Sequence, residues 1–217
     1  MMLDEKQIID VAHKWLKEIL PNGMNGRFFL AGGAFKSVVH GEHPYDLDLW
    51  PTSPNDRKML LEVLYSSGSQ LIRDNDPYQT VLYINGHHVE IVYSVTPTKL
   101  EERLCKFDLA MSAIGIEYDR GTISCCIHPL AHQSVNRKEI LLLKPLINWK
   151  YALVTLERMR RYAKELEFNS PKHEEAEIWS IFRSQPIDVQ QGMIERYQKV
   201  ARGGYKVMEE ALCHIHR

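Results

Sequence analysis

The chain has 217 residues, 44% of them hydrophobic and 25% charged, with a formal net charge of −1. That length can bury a core without disulfide or metal staples, and the scattered 12 glycines and 10 prolines exclude disordered, collagen-like and low-complexity classes. No apolar run approaches the ~18 residues of a membrane span. The opening Met1-Met2-Leu3-Asp4-Glu5-Lys6 is acidic where a secretory leader would be basic and then apolar. Four cysteines make no disulfide framework, so the expectation is a soluble cytoplasmic protein with reduced thiols and no membrane partner.

Residues 4–20 read as a helix capped by Asp4, with Ile8, Val11, Trp15 and Ile19 at helical spacing and Pro21-Asn22-Gly23 ending it. Arg27 to Ala31 is a buried strand that runs into Gly32-Gly33, and Ala34 to His40 is a short helix closed by Gly41. From Tyr45 to Trp50 the run Asp46-Leu47-Asp48-Leu49 alternates with period two. It is a strand with both carboxylates on one face and both leucines on the other. A loop over Pro51 to Pro54 leads into a helix from Asn55 to Ser66.

Gln79 to Ile84 and His87 to Tyr93 flank Asn85-Gly86, a strong hairpin signal that places His87 and His88 at the surface beside the turn. Leu100 to Leu104 is a short helix. Leu109 to Tyr118 and Thr122 to Ile127 form a second hairpin across Asp119-Arg120-Gly121, with a helical reading open for Leu109 to Ile114. Ile140 to Leu143 is a short strand. From about residue 148 the pattern is helical, with breaks near Ser170-Pro171, Gln185-Pro186 and Gly203-Gly204. The fold class is therefore α+β: a mixed β-sheet flanked by helices over residues 1–145, then an all-helical region over 146–217. Charge divides similarly, residues 1–135 carrying 12 Lys and Arg against 17 Asp and Glu, and residues 136–217 carrying 15 against 11. An acidic front and a basic rear suit a metal-holding half joined to a phosphate-facing half.

Asp46, Asp48 and Glu90 carry the chemistry. Glu90 lies mid-strand in His88-Val89-Glu90-Ile91-Val92, pointing away from its apolar neighbours. If the two strands are neighbours, three carboxylates converge, and such a cluster repels itself without a divalent cation. Oxygen ligands suit Mg²⁺ or Mn²⁺ better than zinc, and two such ions can activate a hydroxyl and stabilise a leaving pyrophosphate. Gly32-Gly33 lets backbone approach a phosphate, and the helix after it aims N–H groups at an anion. Cys125-Cys126-x-His128 with His132 is set aside as a zinc site, because adjacent strand cysteines point to opposite faces.

The run Phe29-Leu30-Ala31-Gly32-Gly33-Ala34-Phe35-Lys36-Ser37-Val38-Val39-His40-Gly41, followed by Asp46-Leu47-Asp48-Leu49, resembles the signature of the DNA polymerase β-like nucleotidyltransferase superfamily. Within it the chain is similar to the head domain of bacterial poly(A) polymerases and CCA-adding enzymes, in the stand-alone form of small bacteriophage-type proteins. Glu90 falls at the family's third strand carboxylate. Phe107-Asp108-Leu109 with Ala113, and the run from Leu156 to Phe168, resemble two later family segments. The resemblance covers residues 28–168.

It implies a nucleotidyltransferase-type fold and transfer of a nucleoside monophosphate from an NTP to an acceptor hydroxyl. The acceptor is expected to be an RNA 3′ end, with protein or a small molecule as alternatives. It also implies two Mg²⁺ (or Mn²⁺) ions on Asp46, Asp48 and Glu90, with Glu90 as ligand or base. Gly32, Gly33, Lys36, Ser37, Lys106, Asp108, Arg158 and Arg161 would bind the nucleotide. Departures are plain: Lys36-Ser37 replaces an Arg-Asp pair, Phe107 an Arg and Ser112 an Asn. The base-reading Glu-Asp-x-x-Arg would fall on Tyr151-Ala152-Leu153-Val154-Thr155, where it is absent. A catalytically inactive module that binds nucleotide, RNA or a partner protein is the rival reading.

Overall fold

The computed structural model describes residues 3–201 and 206–215. Strands β1 (Arg27–Ala31), β2 (Asp46–Pro51), β3 (Gln70–Asn75), β4 (Gln79–Ile84), β5 (His87–Val92), β6 (Ile114–Asp119) and β7 (Thr122–Ile127) form one sheet, ordered β3-β4-β5-β2-β1-β6-β7. Every pairing is antiparallel except the central one: β2 and β5 run parallel. The protein is α+β. Helices flank the sheet, and α6 (Ala152–Leu166), α7 (Lys172–Arg183), α8 (Ile187–Val200) and α9 (Lys206–Ile215) follow it. Among the described residues, no helix is long and apolar enough to cross a membrane.

The period-two strands divide the sheet into two apolar faces. Phe28, Leu30, Leu47, Leu49, Val89 and Ile91 join a large core with Ile8, Trp15 and Ile19 of α1 (Glu5–Ile19) and Leu60 and Leu64 of α3 (Pro54–Ser66). Phe29, Ala31 and Trp50 point the other way, into a smaller cluster with Leu100 and Leu104 of α4 (Leu100–Leu104). Asp46 and Asp48 alternate with Leu47 and Leu49, so they lie on this second face, beyond the point where the small cluster stops covering it. The large core continues into Leu156, Met159, Phe182, Ile194 and Ala211, so the rear helices pack on the same apolar mass as the sheet.

The N-terminus of α3 is tied to β1 by one carboxylate. Ser53 Oγ accepts from the Asp56 backbone N–H at 3.1 Å. Asp56 in turn accepts from Ser53 Oγ at 2.6 Å, Thr52 Oγ1 at 2.8 Å and the Arg27 backbone N–H at 2.9 Å. Burial pushes the Asp56 carboxyl up, but the bonds from Ser53, Arg27 and Thr52 and the charge of Arg27 outweigh it and leave it below its ordinary value. A depressed carboxyl stabilises the fold above its unfolded pKa and loses that contribution as pH falls through its folded pKa. Wild type is therefore expected to melt above Asp56→Asn at neutral pH. The gap should close below about pH 4, as read from melting temperature against pH, and a pH-independent gap would refute the assignment.

Two elements carry no sequence expectation, one open alternative is decided and one expected strand is corrected. The edge strand β3 is fully exposed along its length and carries no apolar alternation to reveal it. Residues Pro129–Arg137 form a helix, α5, capped by His128, whose Nδ1 accepts from the Leu130 N–H at 3.2 Å. Leu109 to Ala113 is not strand: a 3-10 turn over Ala110–Ser112 precedes β6. Ile140 to Leu143 is not a strand either; Leu142 makes an isolated bridge to Leu109. Cys125 packs on the large core and Cys126 on the small one, on opposite faces as expected. Burial first, then nearby acidic groups and Cys126, push the Cys125 thiol up to about 12. The break at Gly203-Gly204 lies outside the described residues.

Candidate active site

Parallel pairing of β2 with β5 sets Asp46 opposite His88 and Asp48 opposite Glu90. Leu47, Leu49, Val89 and Ile91 are fully buried on one side, which fixes the register and turns the three carboxylates to the other. There they line a cavity of about 980 Å³. Its far wall is α6, which contributes Glu157, Arg158, Arg161, Tyr162 and Glu165, and Lys36, Arg103, Lys106 and Asp108 complete the charged lining. The cavity thus has an acidic floor and a mixed wall of five basic and three acidic side chains.

The two glycines before this floor are required by close approach. Gly32 has φ +121°, a conformation L side chains rarely adopt, and a Cβ there would stand 2.8 Å from Asp48 Oδ2. A Cβ on Gly33 would stand 2.5 Å from the Tyr162 hydroxyl. Strand, glycine pair and 3-10 turn are therefore packed directly against one carboxylate and against α6. Gly33→Ala should cost about 1–3 kcal/mol by overpacking. Adding Tyr162→Phe removes the clashing oxygen and should restore part of the loss in a denaturant titration; no restoration would place the strain elsewhere.

Asp108 is nearly buried, and its oxygens are engaged by protein. Arg158 Nη1 donates to Oδ1 at 2.9 Å and to Oδ2 at 2.8 Å, Thr155 Oγ1 donates to Oδ2 at 2.8 Å, and the Leu109 N–H donates to Oδ1 at 2.9 Å. The Asp108 charge raises the Arg158 pKa against the opposing effect of burial. Asp108 therefore acts through Arg158: it fixes the guanidinium on the cavity wall. Thr155 is turned to this carboxylate.

Lys36 and Arg161 share a partner. Lys36 Nζ lies 2.8 Å from Glu165 Oε2, and Arg161 reaches Glu165 Oε1 and Glu157 Oε1, each at 3.2 Å. Burial raises the Glu165 carboxyl, but Lys36 and Arg161 bring it below its ordinary value. The Lys36–Glu165 and Arg161–Glu165 pairs are part-exposed and hold by only about 0–1 kcal/mol, so a phosphate can exchange into them.

Of the expected site residues, Gly33, Lys36, Asp46, Asp48, Glu90, Lys106, Asp108, Arg158 and Arg161 meet at the cavity. Gly32 lies behind Asp48. Ser37 does not join them: it is buried, and its hydroxyl donates to the Ala34 carbonyl at 2.6 Å. Sequence reasoning missed Arg103. Only 8% exposed, its guanidinium lies 4.1 Å from the Trp50 ring centroid and 4.4 Å from that of Phe107. Burial lowers its pKa, while the charges of Asp48 and Asp108 raise it in opposition. No local pattern marks it, because Arg103 sits in a five-residue helix whose partners come from β2 and a later turn.

The oxygen-only donor set of Asp46, Asp48 and Glu90, held on one sheet face at the cavity floor, fits a hard divalent cation.

No family model matches the sequence, and no curated protein matches it. Solved structures do resemble it. A tRNA-processing enzyme in an apo form superposes with a TM-score of 0.61 at 19% identity over 97% of this chain and 60% of that one. A CCA-adding enzyme with ATP gives 0.61 at 12% identity, over 98% of this chain and 52% of that one. The Thermotoga maritima CCA-adding enzyme complexed with tRNA gives 0.60 at 12%, with the same coverage of 98% and 52%. The chain thus spans 52% to 60% of the length of these structures. At these identities the likeness is one of fold: the chain has the nucleotidyltransferase-like fold seen in CCA-adding enzymes.

Proposed function

We propose that this nucleotidyltransferase-like fold transfers a nucleoside monophosphate from an NTP to an acceptor hydroxyl, most simply an RNA 3′ end, and releases pyrophosphate. The observation that carries the reading is the parallel β2–β5 register, which sets Asp48 beside Glu90 and both with Asp46 on one cavity face. Similar structures that are complexes with ATP and with tRNA support the choice of NTP and RNA.

Asp46, Asp48 and Glu90 would hold two Mg²⁺ or Mn²⁺ ions, whose chemistry there is to make the acceptor hydroxyl more acidic and to neutralise charge on the phosphates. The chain's own residues do the rest. Lys36 and Arg161 meet the polyphosphate by exchanging their Glu165 partner for it. Arg158, held by Asp108, presents a fixed positive charge that needs no reorganisation during transfer. Arg103, on the same sheet face, offsets part of the charge of the acidic floor, since it feels the Asp48 charge.

The test is incubation with each α-labelled NTP, Mg²⁺ or Mn²⁺ and cell extract, with Asp46→Ala/Asp48→Ala as the blank. Label in RNA above the blank is the expected result. Label in protein or in small molecules instead would keep the reaction and correct the acceptor. No label in any fraction would overturn the reading in favour of a binding module, a role consistent with Thr155 standing where a base-reading arginine is expected.

A further inference from the structure

On the opposite face of the sheet from the carboxylates, we infer a second metal site, made by Glu18, His43 and His87 and suited to a zinc-class divalent ion. One ligand atom from each of the three lies within 4.8 Å of the others. Glu18 comes from the last turn of α1, His43 from the loop between α2 (Lys36–His40) and β2, and His87 from the first position of β5. The hairpin brings them together: Asn85, at φ +50°, donates its Nδ2 to the Glu18 carbonyl at 2.7 Å and anchors the β4–β5 turn to the end of α1.

His87 is the centre of the site. The hairpin pattern places it at the surface, yet it is only 2% exposed. Its Nε2 donates to Glu18 Oε2 at 2.6 Å. Its Nδ1 is buried with no hydrogen-bond partner, a costly state for a polar atom. The His43 ring lies 4.7 Å from the His87 ring, centroid to centroid. His43 Nδ1 is 3.2 Å from the Pro44 carbonyl, which can only accept, so Nδ1 carries the proton and Nε2 keeps its lone pair. A backbone carbonyl holding the far N–H is the usual outer support of a metal-binding imidazole.

Two imidazoles and one carboxylate select against Mg²⁺ and suit Zn²⁺ or Co²⁺ with a fourth position left to water. On the His87 side the ion would take the place of the proton shared by Nε2 and Glu18 Oε2, and an exposed His43 would gain a fixed place. His43 stands three residues before Asp46, and His87 three before Glu90. An ion here would therefore pin the starts of both strands that carry the carboxylate cluster, from the face that cluster does not use.

The probe is Zn²⁺, and Co²⁺ for its visible absorption, added to chelator-treated full-length protein. One equivalent should bind in the presence of excess Mg²⁺, raise the melting temperature, and give the intense bands of four-coordinate Co²⁺. His43→Ala, at an exposed position, should fold normally and bind at least ~10-fold more weakly. Glu18→Gln should weaken binding in the same direction. Asp46→Asn/Asp48→Asn should bind Zn²⁺ like wild type, which separates this site from the proposed active site whether or not that site transfers nucleotide. Absence of binding, or binding unchanged by His43→Ala and Glu18→Gln or lost in the Asp46→Asn/Asp48→Asn protein, would overturn the inference.

Discussion

Asp46→Asn is expected to abolish nucleotidyl transfer while leaving the protein folded. The side chain is half-buried on the cavity floor, and its strand neighbours Leu47 and Leu49 carry the core packing. The amide is nearly isosteric but loses the charge that holds a divalent ion. The several kcal/mol supplied by such an ion correspond to about 10³-fold or more in rate. The fold should be retained, because the buried leucines that hold the strand are untouched. The decisive pair of measurements is label transfer and thermal melting on the same preparation. Retained transfer in a folded protein would sink the catalytic assignment of the cluster.

Asp108→Ala is expected to be the most destabilising single change at the site. It strips Arg158 Nη1, Thr155 Oγ1 and the Leu109 N–H of their acceptor in a nearly buried setting. Breaking such a pair from one side costs about 3–5 kcal/mol, mostly through the cation left behind. For a chain of this size that is on the order of 10 °C in melting temperature. Asp108→Asn keeps an acceptor oxygen and should lose less. Transfer should fall in both variants, since Arg158 loses the group that aims it. Equal stability of Asp108→Ala and wild type in a denaturant titration would show that the Arg158 pairing contributes nothing to the fold.

The local grammar of the chain reveals much of the sheet region. Asp-Leu-Asp-Leu alternation identifies which face Asp46 and Asp48 take, because side-chain direction in a strand depends only on the period. Asn85-Gly86 identifies the β4–β5 hairpin, because φ at both residues is positive and few other residues accept that. The glycine pair is legible as a special backbone, but its reason is not. Gly33 is needed because a tyrosine 129 positions later in the chain lies against it.

Sequence alone, then, determined the strand and helix periods, the hairpin turns and the identity of the acidic, basic and glycine residues. Those properties are set by each residue and its near neighbours. Tertiary structure alone decided that β5 lies parallel beside β2, so that Glu90 meets Asp48. It decided that Arg103 stacks on Trp50. It decided that Asp108 serves Arg158 and that His87 is buried against Glu18. Each of these joins elements distant in the chain, and partner choice between distant elements follows from burying the common core, which no local pattern encodes.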